Sequence, residues 1–117
     1  MDELDKYWAE IQEPIGDDPV SLLHGMERHR GLIARVGQMA VDAEYRLMQK
    51  EGEVRSMLRK EMPDAPESRI VNEVAHQCSG EKFALRRCQE LQKALHVGFK
   101  TLQSALSFAK TEMGFHR

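Results

Sequence analysis

The chain has 117 residues, of which 31% are charged and only 6% aromatic, and its formal net charge is −2. This size leaves room for one domain, and this composition favours extended helices packed along seams over a thick globular core. The charge excludes a strongly basic nucleic-acid-binding domain, and no apolar run approaches the ~20 residues that span a bilayer. With an acidic N-terminus where a signal peptide would be basic, we expect a cytoplasmic protein without membrane contact.

The charge is distributed unevenly along the chain. Residues 1–18 contain seven Asp and Glu against Lys6 alone, whereas residues 19–117 contain sixteen Lys and Arg against twelve Asp and Glu. This pattern predicts an acidic arm on a mildly basic body. Such an arm either binds a partner or shields a body that binds nucleic acid.

The arm, residues 1–18, is predicted to contain a short amphipathic helix. Leu4, Trp8 and Ile11 recur at helical spacing, and acidic residues occupy the first turn, where they favour a helix N-terminus. The segment from Pro14 to Pro19 then ends the helix. Two interpretations stay open: the arm docks Trp8 on the rest of the chain, which we favour, or its apolar residues bind a partner protein.

A long helix is predicted over residues 19–61, with Asp18 as N-cap and Pro19 at the first helical position. Its predicted seam consists of two heptad rows, which Ala, His and Lys fill imperfectly: Met26, Ile33, Ala40, Leu47 and Val54, and His29, Val36, Ala43, Lys50 and Met57. Glycines at 25, 31, 37 and 52 each cost about 1 kcal/mol relative to Ala, so packing must offset them. Ala34, Val41 and Met48 add a second apolar face, which predicts contact with a further helix.

The two prolines in residues 62–68 predict a turn, with Ser68 or Asp64 capping a single last helix over residues 68–113 and Gly114 as its C-cap. The predicted seam of this helix is Val71, Val74, Cys78, Leu85, Cys88, Leu95, Phe99, Leu102, Leu106, Ala109 and Met113. Ala84, Leu91, Gly98 and Ala105 repeat beside it. The predicted fold is therefore all-α: a short N-terminal helix and, in residues 19–117, two long antiparallel helices forming a coiled-coil-like hairpin. Because a hairpin buries each helix on one side only, we expect it to assemble into a helical homo-oligomer.

Residues that could carry chemistry are few. The sequence contains no catalytic motif and no Cys or His cluster at zinc-ligand spacing, so we expect no enzyme, no cofactor and no metal. The basic residues are more informative: Lys82, Arg86, Lys93 and Lys100 point away from the seam, Arg28 and Arg35 lie seven apart, and Arg55, Arg59 and Lys60 cluster before the turn. They form either a solvated helix face, the favoured interpretation from this chain alone, or a surface that binds single strands when several copies combine. Tyr45, beside Arg46, could stack on an unpaired base.

Two stretches, LMQKEGEVRSMLRKEM and ELQKALHVGFKTLQSALSFAKTEM, together with the break between them, resemble the phage recombination mediator proteins of the UvsY kind over residues 20–113. The resemblance implies a closed homo-oligomer in the host cytoplasm that binds single-stranded DNA. It also implies that the protein helps load a RecA-like recombinase onto DNA coated by single-strand-binding protein.

On this resemblance, the predicted DNA contacts are Arg46, Lys50, Arg55, Arg59 and Lys60, joined by the outward Lys82, Arg86 and Lys93. Oligomer packing is assigned to Leu95, Phe99, Leu102 and Leu106. The alternative function is a helical protein-binding module, such as a phage-encoded inhibitor or adaptor of a host protein, which grips its partner through the acidic arm or the apolar face.

Overall fold

The computed structural model describes residues 2–112, and this part of the chain is all-α, as predicted. It contains four helices: α1 (Glu3–Ile11), α2 (Pro19–Glu61), α3 (Glu67–Gln77) and α4 (Ser79–Glu112). Two of them, α2 and α4, are long, with 43 and 34 residues. None of the helices in residues 2–112 is long and apolar enough to cross a membrane. The predicted end of the last helix at Met113 and its cap at Gly114 lie outside the described residues.

Side-chain caps begin the first two helices. At α1, Asp2 accepts a hydrogen bond from the Asp5 N–H at 2.9 Å. At α2, Asp18 accepts one from the Ser21 N–H at 3.0 Å and another from the Ser21 hydroxyl at 2.7 Å. Pro19 occupies the first helical position, where the missing N–H has no helical acceptor. The predicted cap of α2 is thus confirmed.

The last predicted helix is interrupted. Cys78 separates α3 from α4 with φ −99° and ψ 12°. The hydrogen bonds nevertheless continue, because the Cys78 N–H donates to the Val74 carbonyl and its own carbonyl accepts from the Lys82 N–H, both at 3.0 Å. Cys78 is therefore a local distortion between two helices and not a loop. Ser79 and Gly80, which follow it, have low helix propensity and favour a break here.

The predicted cap of this helix was wrong. The N-cap of α3 is Pro66, which makes no side-chain capping bond, and α3 begins at Glu67. Ser68 consequently falls inside the first turn, and Asp64 lies in the turn that follows α2. The fixed φ of Pro66 supplies extended backbone at the cap in place of a side-chain hydrogen bond.

The chain divides into two compact units, each of which includes part of α2 and part of α4. The terminal unit comprises Met1–Gly37 and Gln89–Arg117, and the turn unit comprises Gln38–Cys88. Within the terminal unit Gly25 faces Leu102 while Gly37 faces Gln92, so the two helices run antiparallel there. Within the turn unit, ion pairs join Lys50 to Glu81 and Arg55 to Glu67, which again shows antiparallel helices.

Each unit has its own apolar cluster. In the turn unit, the buried residues are Val54, Leu58, Ile70, Val74 and Cys78. In the terminal unit, Leu22 packs with Leu102 and Leu106, and Ile15 and Met26 cover this cluster in part. The two clusters hold the hairpin together by removing apolar area from water.

The strict heptad placed two seam residues wrongly. Met57 is 50% exposed, whereas its neighbour Leu58 is buried; likewise Val71 is 44% exposed and Ile70 is fully buried. A straight α-helix drifts by ~20° per heptad, so after four to five heptads the buried face has moved on by about one residue. That drift explains Leu58. Ile70 lies in α3, and the break at Cys78 separates α3 from α4, so one continuous heptad pattern does not describe both helices.

Candidate nucleic-acid interface

Three of the predicted DNA-contacting cations in the turn unit form ion pairs. The Lys50 Nζ lies 2.8 Å from a carboxylate oxygen of Glu81, and this carboxylate raises the pKa of Lys50. The Arg55 Nη1 lies 2.6 Å from Glu67, and Arg59 pairs with the other oxygen of the same carboxylate. These pairs connect α2 to α3 and α4.

The pairing reduces the positive charge that a phosphate would meet. Glu67 forms ion pairs with both Arg55 and Arg59, so these three side chains together keep one net positive charge. The charges of Lys50 and Glu81 cancel. Over the whole turn unit, residues 38–88 contain nine Lys and Arg and nine Asp and Glu. The unit is electroneutral, although exposed ion pairs such as those of Glu67 are weak enough to be exchanged for other partners.

Four other cations of the turn unit make no ion pair with any residue of the described chain. All four are exposed, and all four are among the predicted contacts to single-stranded DNA: Arg46, Lys60, Lys82 and Arg86. Arg46 lines a cleft of about 190 Å³ with Ala43, Gly80, Glu81 and Ala84. These four cations are the candidate positions for phosphate contacts in the turn unit.

Two exposed aromatic rings accompany these cations. Tyr45, next to Arg46, is 62% exposed and accepts a hydrogen bond from Gln49 at 3.1 Å, while Phe83, next to Lys82, is also 62% exposed. A large apolar ring left in water costs solvation free energy, and a nucleic-acid base can cover it. The exposure of Tyr45 is predicted from the heptad pattern; that of Phe83 was missed, although its position outside the heptad seam was the available signal.

The last predicted strand contact, Lys93, belongs to the terminal unit. It is exposed on α4, where it lines a shallow surface depression with Gln89, Gln92, His96 and Val97. Val97 is 65% exposed. This depression lies entirely within the terminal unit.

The four residues assigned to oligomer packing are occupied within the chain. Leu95 is fully buried, Leu102 and Leu106 are 8% and 7% exposed, and Phe99 is partly buried. The Arg30 guanidinium lies over the Phe99 ring, 5.5 Å from its centroid, at a distance typical of a cation–π contact. These side chains pack one chain's own helices, and their role between copies stays a prediction.

The acidic arm is docked on α2. Leu4 is only 6% exposed, and Trp8 and Ile11 are partly buried. Glu3 accepts hydrogen bonds from Arg35 at 2.7 and 2.9 Å and another from the Tyr7 hydroxyl. The hydrogen bonds from Arg35 and Tyr7 lower the pKa of Glu3 to about 2.

The two arginines that the sequence analysis grouped as a basic row therefore serve the arm. Besides the Arg35 pair, Arg28 lies 3.3 Å from Glu13. No sequence spacing indicated these partners, because the break in helical pattern at residues 14–18 separates them. Glu81, by contrast, could have been found opposite Lys50 by counting outward from the turn.

Within residues 2–112, no group of three or more His, Cys, Asp and Glu side chains could hold a metal ion. Cys78 and Cys88 are buried thiols, and burial raises the pKa of both. They are small core residues rather than nucleophiles.

Comparison of the chain with protein-family models, with curated proteins and with solved structures gives no match.

Proposed function

We propose that this protein is a non-enzymatic, oligomeric single-stranded-DNA-binding protein. The observation that supports this proposal is that two exposed rings in the turn unit, Tyr45 and Phe83, each stand beside a cation without an ion pair, Arg46 or Lys82. Stacking platforms next to cations are what single-strand binding requires. Each base stacked on an aromatic side chain contributes ~1–3 kcal/mol regardless of its identity.

The charge of the turn unit sets how tightly one copy binds. Since residues 38–88 carry no net charge, a single copy releases few counterions and holds a strand weakly. Several copies on one strand raise the affinity through effective concentration, without any new type of contact. Weak contacts made many times also allow the strand to be passed on.

Such a transfer fits a phage recombination mediator, which is the function that the resemblance to proteins of the UvsY kind implies. In that role the protein helps load a RecA-like recombinase onto DNA coated by single-strand-binding protein, in the host cytoplasm. The recombinase and the single-strand-binding protein are proposed as partners because of this resemblance. Single-stranded DNA is proposed as the ligand because of the exposed rings and cations.

Fluorescence anisotropy of a labelled oligothymidine, measured over a range of salt concentrations, tests the DNA-binding step. Replacing Arg46, Lys82 and Arg86 by Ala should weaken binding by at least about tenfold and lower the salt dependence by about one unit per lost phosphate contact. The matched control replaces Lys6, Lys100 and Lys110, which are also exposed but lie in the terminal unit, outside the proposed site. An equal loss in both variants would mean that only overall charge matters, and the proposed site would be rejected.

The rings are tested separately from the charges. Tyr45→Leu with Phe83→Leu keeps an apolar side chain but removes the stacking surface, so affinity should fall at high salt as well as at low salt. Circular dichroism should show unchanged helix content because both rings are exposed. Unchanged affinity in this variant would remove the observation on which the proposal depends.

A second candidate function, a helical module that binds a host protein, is favoured by one observation. Val41 and Met48, which lie on one face of α2, are 59% and 64% exposed. The docked arm offers less, since Leu4 is buried. For this function, Val41→Ser with Met48→Ser should abolish retention of one specific host protein while leaving strand binding intact; retention unaffected by the pair would exclude this face.

A further inference from the structure

The terminal unit contains an apolar cleft of about 620 Å³ that neither proposed function uses. It lies between the first turn of α2, at Pro19 and Leu22, and the part of α4 that includes Ala105, Phe108 and Ala109. This volume is in the range of sites that accept a ligand or an anchoring side chain.

Small and large residues together shape the cleft. Ala105 and Ala109 leave space beside the buried Leu22, which belongs to the apolar cluster with Leu102 and Leu106. Phe108 stands at its edge and is 67% exposed, the highest value among the exposed large apolar residues of residues 2–112. Because this wall is open, the cleft is a groove on the surface and suits a protein segment better than an enclosed metabolite.

The charges at the cleft have one sign. Asp17, Asp18 and Glu112 line it, and no Lys or Arg of the described chain does. Hydrogen bonds from Ser21 lower the pKa of Asp18, so its carboxylate is ionised at neutral pH. Three carboxylates repel phosphate, which excludes nucleic acid from this site and favours a cationic partner.

We infer that this cleft binds a peptide segment of a partner protein in which an apolar anchor is flanked by Lys or Arg. The anchor fills the space above Leu22 and packs on Phe108, and the flanking cations face the three carboxylates. Apolar contact provides most of the affinity, and charge complementarity provides selectivity and a faster approach.

The experiment measures anisotropy of a short labelled peptide, composed of Lys and Ala with one Leu and one Phe four residues apart, on the full chain. We expect saturable binding that is lost when Glu replaces Lys or when Ala replaces Leu and Phe. Absence of binding, or equal binding of the Glu peptide, would overturn the inference.

Two protein variants locate the binding site. Phe108→Ala should weaken peptide binding by about tenfold, whereas Val97→Ala, at a position of α4 that is 65% exposed but outside the cleft, should not. Asp17→Asn with Asp18→Asn should weaken binding severalfold and reduce its salt dependence, and Asn keeps the ability to cap α2. Equal affinity of Phe108→Ala and the unmodified protein would reject the cleft.

Other occupants give different results. If a variant ending at Glu112 binds the peptide and the full chain does not, the chain's own terminal residues occupy the cleft. If Phe108→Ala changes the molar mass in light scattering, the occupant is a second copy. Either result would overturn the inference that a separate partner protein occupies the cleft. Oligothymidine binding should be the same in Phe108→Ala and the unmodified protein, so that failure of this inference and failure of the proposed function can be told apart.

Discussion

The two compact units solve the packing of two antiparallel helices in different ways. The turn unit packs branched aliphatic side chains, Val54 and Leu58 against Ile70 and Val74. The terminal unit instead places glycine against a ring: a Cβ at Gly98 would lie 2.6 Å from the Nε2 of the buried His29. The comparison shows that glycines which reduce helix propensity can be kept where they admit a bulky neighbour.

The electrostatics of the units differ as well. In the turn unit, glutamates of α3 and α4 pair with cations of α2, whereas in the terminal unit the pairs are made by the arm, through Glu3 and Glu13. The turn unit has no net charge; the terminal unit, with eight Lys and Arg and ten Asp and Glu, has a net charge of −2. The contacts to single-stranded DNA that we propose lie in the turn unit, and the cleft that we propose for a cationic partner lies in the terminal unit.

The largest effect is expected in the aliphatic cluster of the turn unit. Ile70→Ala should lower the free energy of unfolding by about 2–5 kcal/mol, because it leaves a cavity around a fully buried side chain. Val71→Ala, at the neighbouring and 44% exposed position, should cost less than about 1 kcal/mol. Urea denaturation of both variants checks the register of α3, and a larger loss for Val71→Ala would show the register to be wrong.

The glycine contact of the terminal unit should give the next largest effect. In Gly98→Ala the new methyl group would meet the His29 ring, which is buried and held by a 3.0 Å hydrogen-bond contact between Nδ1 and the Gly25 carbonyl. Overpacking of this kind costs about 1–3 kcal/mol. Thermal or urea unfolding measures it.

A second substitution tests the cause of that loss. With His29→Ala present, Gly98→Ala should cost much less, because the ring that it meets is gone, and the two changes should be strongly non-additive. Additive losses would indicate that the methyl group meets something other than His29.

Open glycines should respond in the opposite direction. At Gly31, in the terminal unit, and Gly52, in the turn unit, an added Cβ would meet nothing within 4 Å. Replacement of either residue by Ala should raise the free energy of unfolding by about 1 kcal/mol, since Ala loses less backbone entropy in a helix. A loss of stability in either variant would contradict this expectation. It would show that another group contacts the glycine, such as a residue of a second copy.

The smallest effect concerns the arm. The pKa of Glu3 falls from 4.5 to about 2 in the folded chain, so its pair with Arg35 stabilises docking fully above about pH 4.5. This contribution declines as the pH falls from 4.5 and disappears below about 2. Fluorescence of Trp8, the single tryptophan, reports arm docking during acid titration.

Glu3→Gln provides the control for this titration. The difference in docking between the unmodified protein and Glu3→Gln should be constant above pH 4.5 and vanish towards pH 2. A difference that does not change with pH would show that the carboxylate charge does not hold the arm.

Some of the candidate site could be predicted from residue pattern alone. The outward position of Arg46, Lys82 and Arg86 follows from helical periodicity, as does the exposure of Tyr45. The pairing of Arg55 and Arg59 with one carboxylate could not be predicted from periodicity, because it depends on how the turn brings Glu67 back towards α2. Local spacing describes one helix face, but an ion pair across the turn depends on the register between two helices.

The sequence by itself determined the helices: the periodic apolar residues, the Asp18–Pro19 start and the proline-rich turn act within a few residues of one another, and local hydrogen bonds and φ restrictions decide such features. Only the tertiary structure decided the exchange of Met57 for Leu58 in the core, the docking of the arm through Arg35 and the contact of Gly98 with His29. Each of these depends on helix drift accumulated over many residues or on groups far apart in the chain. Periodicity specifies which face of a helix is apolar, whereas close packing between faces specifies which residue on that face fills the space.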